Sequence, residues 1–130
     1  MHSWVLARAH RTRSWRLFTE ALEGDVNDIQ GGTTPEGIHL GAMAGAVDLV
    51  QRCYTGVETR GGVLWLNPCL PEDLRGLAFG LRYRNHWLRL EITRDTLRVS
   101  FCKGWAGTAR VGFRNTVYEF AQGDTREFSL

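Results

Sequence analysis

The 130 residues contain no apolar run long enough to span a membrane. The longest uncharged stretch near the centre, residues 37–47, is short and rich in Gly and Ala, so no membrane partner is expected. Residues 1–10 lack a basic segment followed by a long apolar one, and no secretory leader is expected. Cysteine is sparse and odd in number. Cys53, Cys69 and Cys102 lie far apart with no C-x-x-C, which argues for free thiols in a reducing cytoplasm. The histidines and carboxylates do not fall at metal-ligand spacing, so no metal site is expected. Charge of one sign is also missing. The net charge is +2, the arginines are scattered and no basic run appears, so nucleic acid is not an expected partner. No internal repeat or low-complexity segment is visible.

What is present is an ordinary globular composition, 43% hydrophobic and 23% charged, at a length that can bury a real core. One stretch organises the chain: Gly31-Gly32-Thr33-Thr34-Pro35-Glu36-Gly37-Ile38-His39-Leu40-Gly41-Ala42-Met43. Paired glycines free the backbone before a helix start. Thr34 suits the N-cap and Pro35 the first helical position, where a missing N–H costs nothing. Glu36 sits near the positive end of the helix dipole. The helix is predicted over residues 35–54, with Gly56 as its stop signal. Gly37, Gly41 and Gly45 share one face, and Ile38, Ala42, Leu49 and Cys53 form a neighbouring apolar stripe. Two readings of this stretch stand. It is a tightly packed core helix with a satisfied histidine, or it is an oxyanion site built from free N–H groups, hydroxyls and His39.

Before that helix, residues 3–9 read as the body of a helix without a cap. Thr12 or Ser14 can cap a second helix, with Trp15, Phe18 and Leu22 on one face and an end near Gly24 or residues 25–28. These helices carry more large apolar groups than they can bury against one another, so the chain is expected to be sticky or to form a homo-oligomer. After Gly56 the pattern changes. Residues 57–62 read as a connector. Residues 63–67, 77–83, 87–92, 97–101, 109–113, 117–120 and 127–130 read as short strands with period-two alternation. Residues 84–86, including a solvated His86, are read as a turn, and residues 122–124 as another. The expected fold class is α+β: N-terminal helices followed by a small antiparallel β-sandwich. Trp65 and Trp87 are read as core or covering residues. Trp105, in a loop, is as suited to stacking on a sugar ring as to packing. Glu58 and Glu91 are read as surface residues.

The run from Gly31 to Gly45 resembles the hallmark segment of glycoside hydrolase family 65, the family of maltose, trehalose and kojibiose phosphorylases and some trehalose hydrolases. The flanking motifs agree: Trp4-Val5-Leu6-Ala7-Arg8, Ser14-Trp15-Arg16-Leu17-Phe18, Asp25-Val26-Asn27-Asp28-Ile29-Gln30, and the run from Asp48 to Gly56. Leu66-Asn67-Pro68, Leu70-Pro71 and the strand pair over residues 81–90 continue it, so the likeness covers residues 2–101. The resemblance implies that residues 1–56 are terminal helices of an (α/α)6 catalytic barrel and that residues 57–130 form the C-terminal β-sandwich. It implies a disaccharide substrate and no cofactor, with inorganic phosphate as co-substrate in the phosphorylases. The family's general-acid Glu lies upstream, so no catalytic residue is expected in this chain. His39 is carried over as a phosphate contact, with Thr33, Thr34 and Gly32 beside it.

Inverting cleavage needs a proton donor on the glycosidic oxygen and a nucleophile on the opposite face of the sugar. When phosphate is that nucleophile, an anion cradle is required and a second carboxylate is not. Three functions follow as expectations. The chain is the C-terminal part of a family 65 phosphorylase or hydrolase, inactive unless an upstream barrel polypeptide completes it. Alternatively it is a non-catalytic module that binds carbohydrate through exposed aromatics, or a gene remnant.

Overall fold

The computed structural model describes residues 10–26, 40–104 and 107–130. It contains two compact units. One comprises Met1–Tyr54 with Pro71–Asp73, and the other Thr55–Leu70 with Leu74–Leu130.

In the helical unit, α1 spans Arg11–Val26 and α2 spans Leu40–Asp48. From Leu49–Tyr54 the backbone continues as a π-helix rather than the α-helix expected to residue 54. Such widened turns are rare and depend on packing rather than on local sequence. Gly56 then takes φ +63° and ends the helix, as its position predicts. Neither Thr12 nor Ser14 caps α1. The Ser14 N–H already donates to the His10 carbonyl at 2.9 Å, so the first helical turn starts ahead of both. Ser14 is instead fully buried, with its hydroxyl 2.9 Å from the Tyr54 hydroxyl. Trp15, Phe18 and Tyr54 form an aromatic cluster with ring centroids 5.2–6.3 Å apart. Leu22, expected on the same buried face, is 40% exposed, so the apolar contact ends one turn earlier.

The second unit is a sandwich of two four-stranded sheets. One has the order β1-β2-β6-β7: Glu58–Arg60, Val63–Leu66, Ala109–Phe113 and Thr116–Phe120. The other has the order β3-β4-β5-β8: Gly76–Tyr83, His86–Thr93, Thr96–Lys103 and Thr125–Ser129. Period-two alternation places Leu88, Leu90 and Ile92 of β4, and Leu97, Val99 and Phe101 of β5, in the core with almost no exposure. Leu64, Leu66, Val111, Phe113 and Phe120 face them from the other sheet. Phe101 and Phe120 stack with centroids 4.9 Å apart.

Two features correct the sequence reading. The presumed connector contains β1, paired antiparallel with β2. The sheets are also not wholly antiparallel, because β2 runs parallel to β6. The tight hairpins share one device, present already in Gly61-Gly62 between β1 and β2, where both φ values are positive. Arg84-Asn85 joins β3 to β4 and Arg114-Asn115 joins β6 to β7, each pair with positive φ at both residues. That is the backbone of a two-residue loop whose twist matches the strands it joins.

Two predictions follow from this packing. Gly56→Ala forces a left-handed alanine, costing about 1–2 kcal/mol. Its Cβ would also overlap the Asn67 backbone. Urea unfolding should show a loss of about 2 kcal/mol or more, and a wild-type midpoint would mean that the stop is not required. In the helical unit, Tyr54→Phe removes the hydroxyl pair with Ser14 and should cost about 1 kcal/mol. A double-mutant cycle with Ser14→Ala, read by Trp15 fluorescence during unfolding, should return a coupling of at least ~0.5 kcal/mol. Strict additivity would show that the pair contributes nothing.

Candidate functional site

The anion cradle read from the sequence, Gly32, Thr33, Thr34 and His39, lies outside the described residues, as do Glu36 and Trp105. The described helix α2 takes up the chain at Leu40, directly after His39. On α2, a Cβ built on Gly45 meets nothing within 4 Å, so the described chain brings no close neighbour to this glycine. Met43 and Val47 flank it at 45% and 58% exposure. Asp48 and Arg52 form an ion pair at 2.7 Å one turn further on.

A groove of about 520 Å³ runs along α1, lined by Thr12, Arg13, Trp15, Arg16, Thr19 and Asp73. It holds two guanidinium groups, two hydroxyls, one carboxylate and an indole. Arg16 is engaged by Glu20 at 3.4 Å. The Thr19 hydroxyl is also taken, donating to the carbonyls of Trp15 and Arg16 at 3.2 and 2.9 Å. Asp73 is the single carboxylate of this lining, and hydrolysis by two opposed carboxylates needs a pair. The described lining offers groups that can hold a polar ligand. Among the described residues, no cluster of His, Cys, Asp or Glu could hold a metal ion. No disulfide joins Cys53, Cys69 and Cys102 among the described residues. No described helix is long and apolar enough to cross a membrane.

The sandwich presents polar outer faces. On the β3-β4-β5-β8 sheet, Arg89 and Arg98 flank Glu91, and Arg98 also binds Glu127 at 2.8 Å. Glu91 is thus a partly exposed ion-pair member, and Glu58 is exposed. Trp87 projects from the same face at 52% exposure, although it was expected to fill or cover the core. Trp65 is half-buried across Gly112, under the Arg60 guanidinium at 5.3 Å. His86 is a further correction. The turn pattern predicts a solvated residue, yet His86 is 4% exposed, its ring 5.5 Å from Phe101. The turn consists of Arg84 and Asn85 alone, so His86 becomes the first inward residue of β4, in phase with Leu88 and Leu90. Its Nδ1 and the hydroxyl of Tyr83, directly opposite in register, are buried without a hydrogen-bond partner among the described residues. A two-residue reading of that turn would have shown this phase from the sequence.

Comparison with known proteins completes the assignment. Residues 1–48 match the glycosyl hydrolase family 65 central catalytic domain, and residues 57–118 match the family's C-terminal domain. An uncharacterized glycosyl hydrolase of Mycobacterium tuberculosis is 45% identical over 127 residues, covering 98% of this chain and 10% of that protein. Trehalose 6-phosphate phosphorylase of Lactococcus lactis is 38% identical over 59% of this chain and 10% of its own length. Kojibiose phosphorylase of Escherichia coli is 33% identical over 77% of this chain and 13% of its own length. The chain therefore spans about a tenth of the length of the curated relatives it matches. A solved human-microbiome structure, a candidate kojibiose phosphorylase, superposes on 99% of this chain and 18% of its own at 20% identity, with a TM-score of 0.82. The α+β architecture is thus shared with that structure, and the chain belongs to glycosyl hydrolase family 65.

Proposed function

We propose that this chain is the C-terminal part of a family 65 enzyme that cleaves an α-glucoside such as trehalose, maltose or kojibiose, with phosphate or water as acceptor. The carrying observation is order: a central catalytic domain match followed directly by a C-terminal domain match on one chain. The phosphorylase names of the relatives from L. lactis and E. coli support phosphate as the acceptor. In this reading Gly32, Thr33, Thr34 and His39 hold the phosphate at the N-terminal end of the helix that continues as α2. An upstream barrel polypeptide supplies the proton donor and the sugar pocket, and the reaction runs in the reducing cytoplasm. The exposed Leu22, Met43 and Val47 and the open space over Gly45 support helices shaped to pack on further parts of a catalytic domain.

A second reading has one observation behind it. The exposed indole of Trp87 offers a flat apolar face on an otherwise polar sheet, the kind of surface on which a sugar ring stacks. Quenching of Trp87 fluorescence by maltose or trehalose, lost in Trp87→Phe, would favour a carbohydrate-binding module.

The main proposal makes two claims open to assay. The purified chain should not turn over trehalose, maltose or kojibiose with phosphate, since loss of a positioned proton donor alone forfeits about 10²–10⁴-fold. Turnover above a His39→Ala control would overturn that claim. In a full-length relative, Ala at the position equivalent to His39 should raise the phosphate concentration needed for half-maximal phosphorolysis by about tenfold or more. Unchanged phosphate dependence would leave His39 as a packed core histidine.

A further inference from the structure

Two arginines from different hairpins converge on one point of the sandwich. Arg84 lies in the β3–β4 loop and Arg110 on β6. Their terminal Nη2 atoms lie 2.8 and 3.3 Å from the position a Cβ on Gly62 would occupy. Gly61 and Gly62, the loop between β1 and β2, both have positive φ and carry no side chain into this space. Each guanidinium has one contact of its own. Arg84 stems from a left-handed loop residue, with its charge 5.8 Å from the Tyr83 ring centroid. Arg110 donates from Nη2 to the Gly61 carbonyl at 3.4 Å.

Neither guanidinium has a carboxylate within ion-pair distance among the described residues. This is notable for Arg110, because Glu119 stands directly opposite it in register on β7. The other sheet behaves differently: its Arg89 and Arg98 are neutralised by Glu91 and Glu127. Two like charges brought this close repel one another even in water. A bound anion would turn that repulsion into attraction. One carboxylate is satisfied by a single guanidinium fork, whereas a phosphoryl group offers three oxygens to two forks. Arg84, Arg110 and Gly61 are exposed, so a soluble anion can reach the point.

We propose that Arg84, Arg110 and the Gly61-Gly62 loop form a phosphoryl-binding site on the C-terminal sandwich, made of none of the residues proposed above to hold phosphate. The ligand is inorganic phosphate or the phosphate of a sugar monoester. The site does not depend on catalytic activity, since all of its parts lie within the sandwich.

The test is an amide and arginine Nε NMR titration of the 130-residue chain at fixed ionic strength, chloride balancing phosphate. One arm uses inorganic phosphate, a second glucose 6-phosphate, and a third glucose. Saturating shifts at Gly61, Gly62, Arg84 and Arg110 are expected in one or both phosphate arms, with affinity in the range of about 1 mM. The tighter phosphate arm identifies the source of the phosphoryl group. Arg84→Gln and Arg110→Gln should each weaken binding at least about tenfold, and Arg110→Lys less. Arg98→Gln, which removes an exposed surface pair, should leave it unchanged. The spectra also report whether each variant stays folded. Shifts spread evenly over Arg89 and Arg98, equal affinity in the Gln variants, saturation by glucose alone, or no saturation by 50 mM (about −2 kcal/mol) would each overturn the proposal.

Discussion

The stacking of Phe101 on Phe120 is the contact on which the sandwich depends. The two phenyl rings come from different sheets, β5 and β7, and lie 4.9 Å apart with no exposure beyond 1%. The backbone around them is tied to the same place. Phe101 donates its N–H to the Asp124 carbonyl at 2.9 Å and accepts from Gly123 N–H at 2.8 Å. The Asp124 carboxylate meanwhile accepts the Ala121 N–H at 2.8 Å, closing the turn between β7 and β8. That turn carries the chain from one sheet to the other. Ring stacking, turn closure and the crossover are therefore fixed by residues within a few positions of one another. Apolar burial supplies the driving force here, roughly 25 cal/mol for each Å² removed from water.

Legibility in the sequence followed the range of the forces involved. The hairpin strands β3, β4 and β5 were readable because their alternation is local and one face of each meets the core. β1 was not, since Glu58, Thr59 and Arg60 are all exposed and leave no apolar alternation to read. The parallel pairing of Leu64 with Val111 joins residues 47 positions apart, and nothing local encodes it. Ser14 was misread for a related reason. A serine near a helix start is a good cap by composition, but its hydroxyl is taken by Tyr54, forty residues away. The same tertiary dependence applies to the π-helix at Leu49–Tyr54, which supplies that tyrosine. At the candidate site, the glycine and threonine pattern before His39 points to an anion cradle, and those residues lie outside the described residues. The arginine pair at Gly62 was invisible in the sequence because its members are 26 residues apart on separate hairpins.

The distribution of charge gives the two sheets different characters. Across β4, β5 and β8 the outer face carries Glu91, Arg98 and Glu127 in register, with Arg89 paired to Glu91 along β4, an alternating set that neutralises itself. Exposed pairs of this kind add little stability each, but like charges side by side on a sheet are unfavourable, so alternation is the neutral arrangement. The β1-β2-β6-β7 sheet departs from it. Arg60 lies over Trp65, Arg114 over Phe113, and Arg126 of β8 lies over Tyr118 and Phe120. These guanidinium groups spread over ring faces, which accept a cation without a counter-charge. Arg84 and Arg110 are the pair that geometry brings to one point, and a ring face cannot serve two cations at once.

The two units also differ in how completely they bury themselves. The sandwich has thirteen buried residues in one cluster, drawn from both sheets, and further apolar groups pack on its margin. In the helical unit the described buried apolar residues are Phe18, Leu49, Tyr54 and Pro71, while Leu22, Met43 and Val47 face outward. A helix holds its shape in water mainly through tertiary burial of one face, because its own hydrogen bonds leave short segments marginal. Nine residues of α2 with two large apolar side chains exposed do not meet that condition alone. The aromatic cluster of Trp15, Phe18 and Tyr54 and the Ser14–Tyr54 hydroxyl contact are then what hold α1 to the end of the second helix. The physical consequence is a hierarchy. The sandwich has the core of a self-supporting domain, whereas the described helices draw their order from one aromatic cluster and leave Met43 and Val47 exposed. A stretch of a central catalytic domain would have this character, because its exposed faces are shaped by the remainder of that domain.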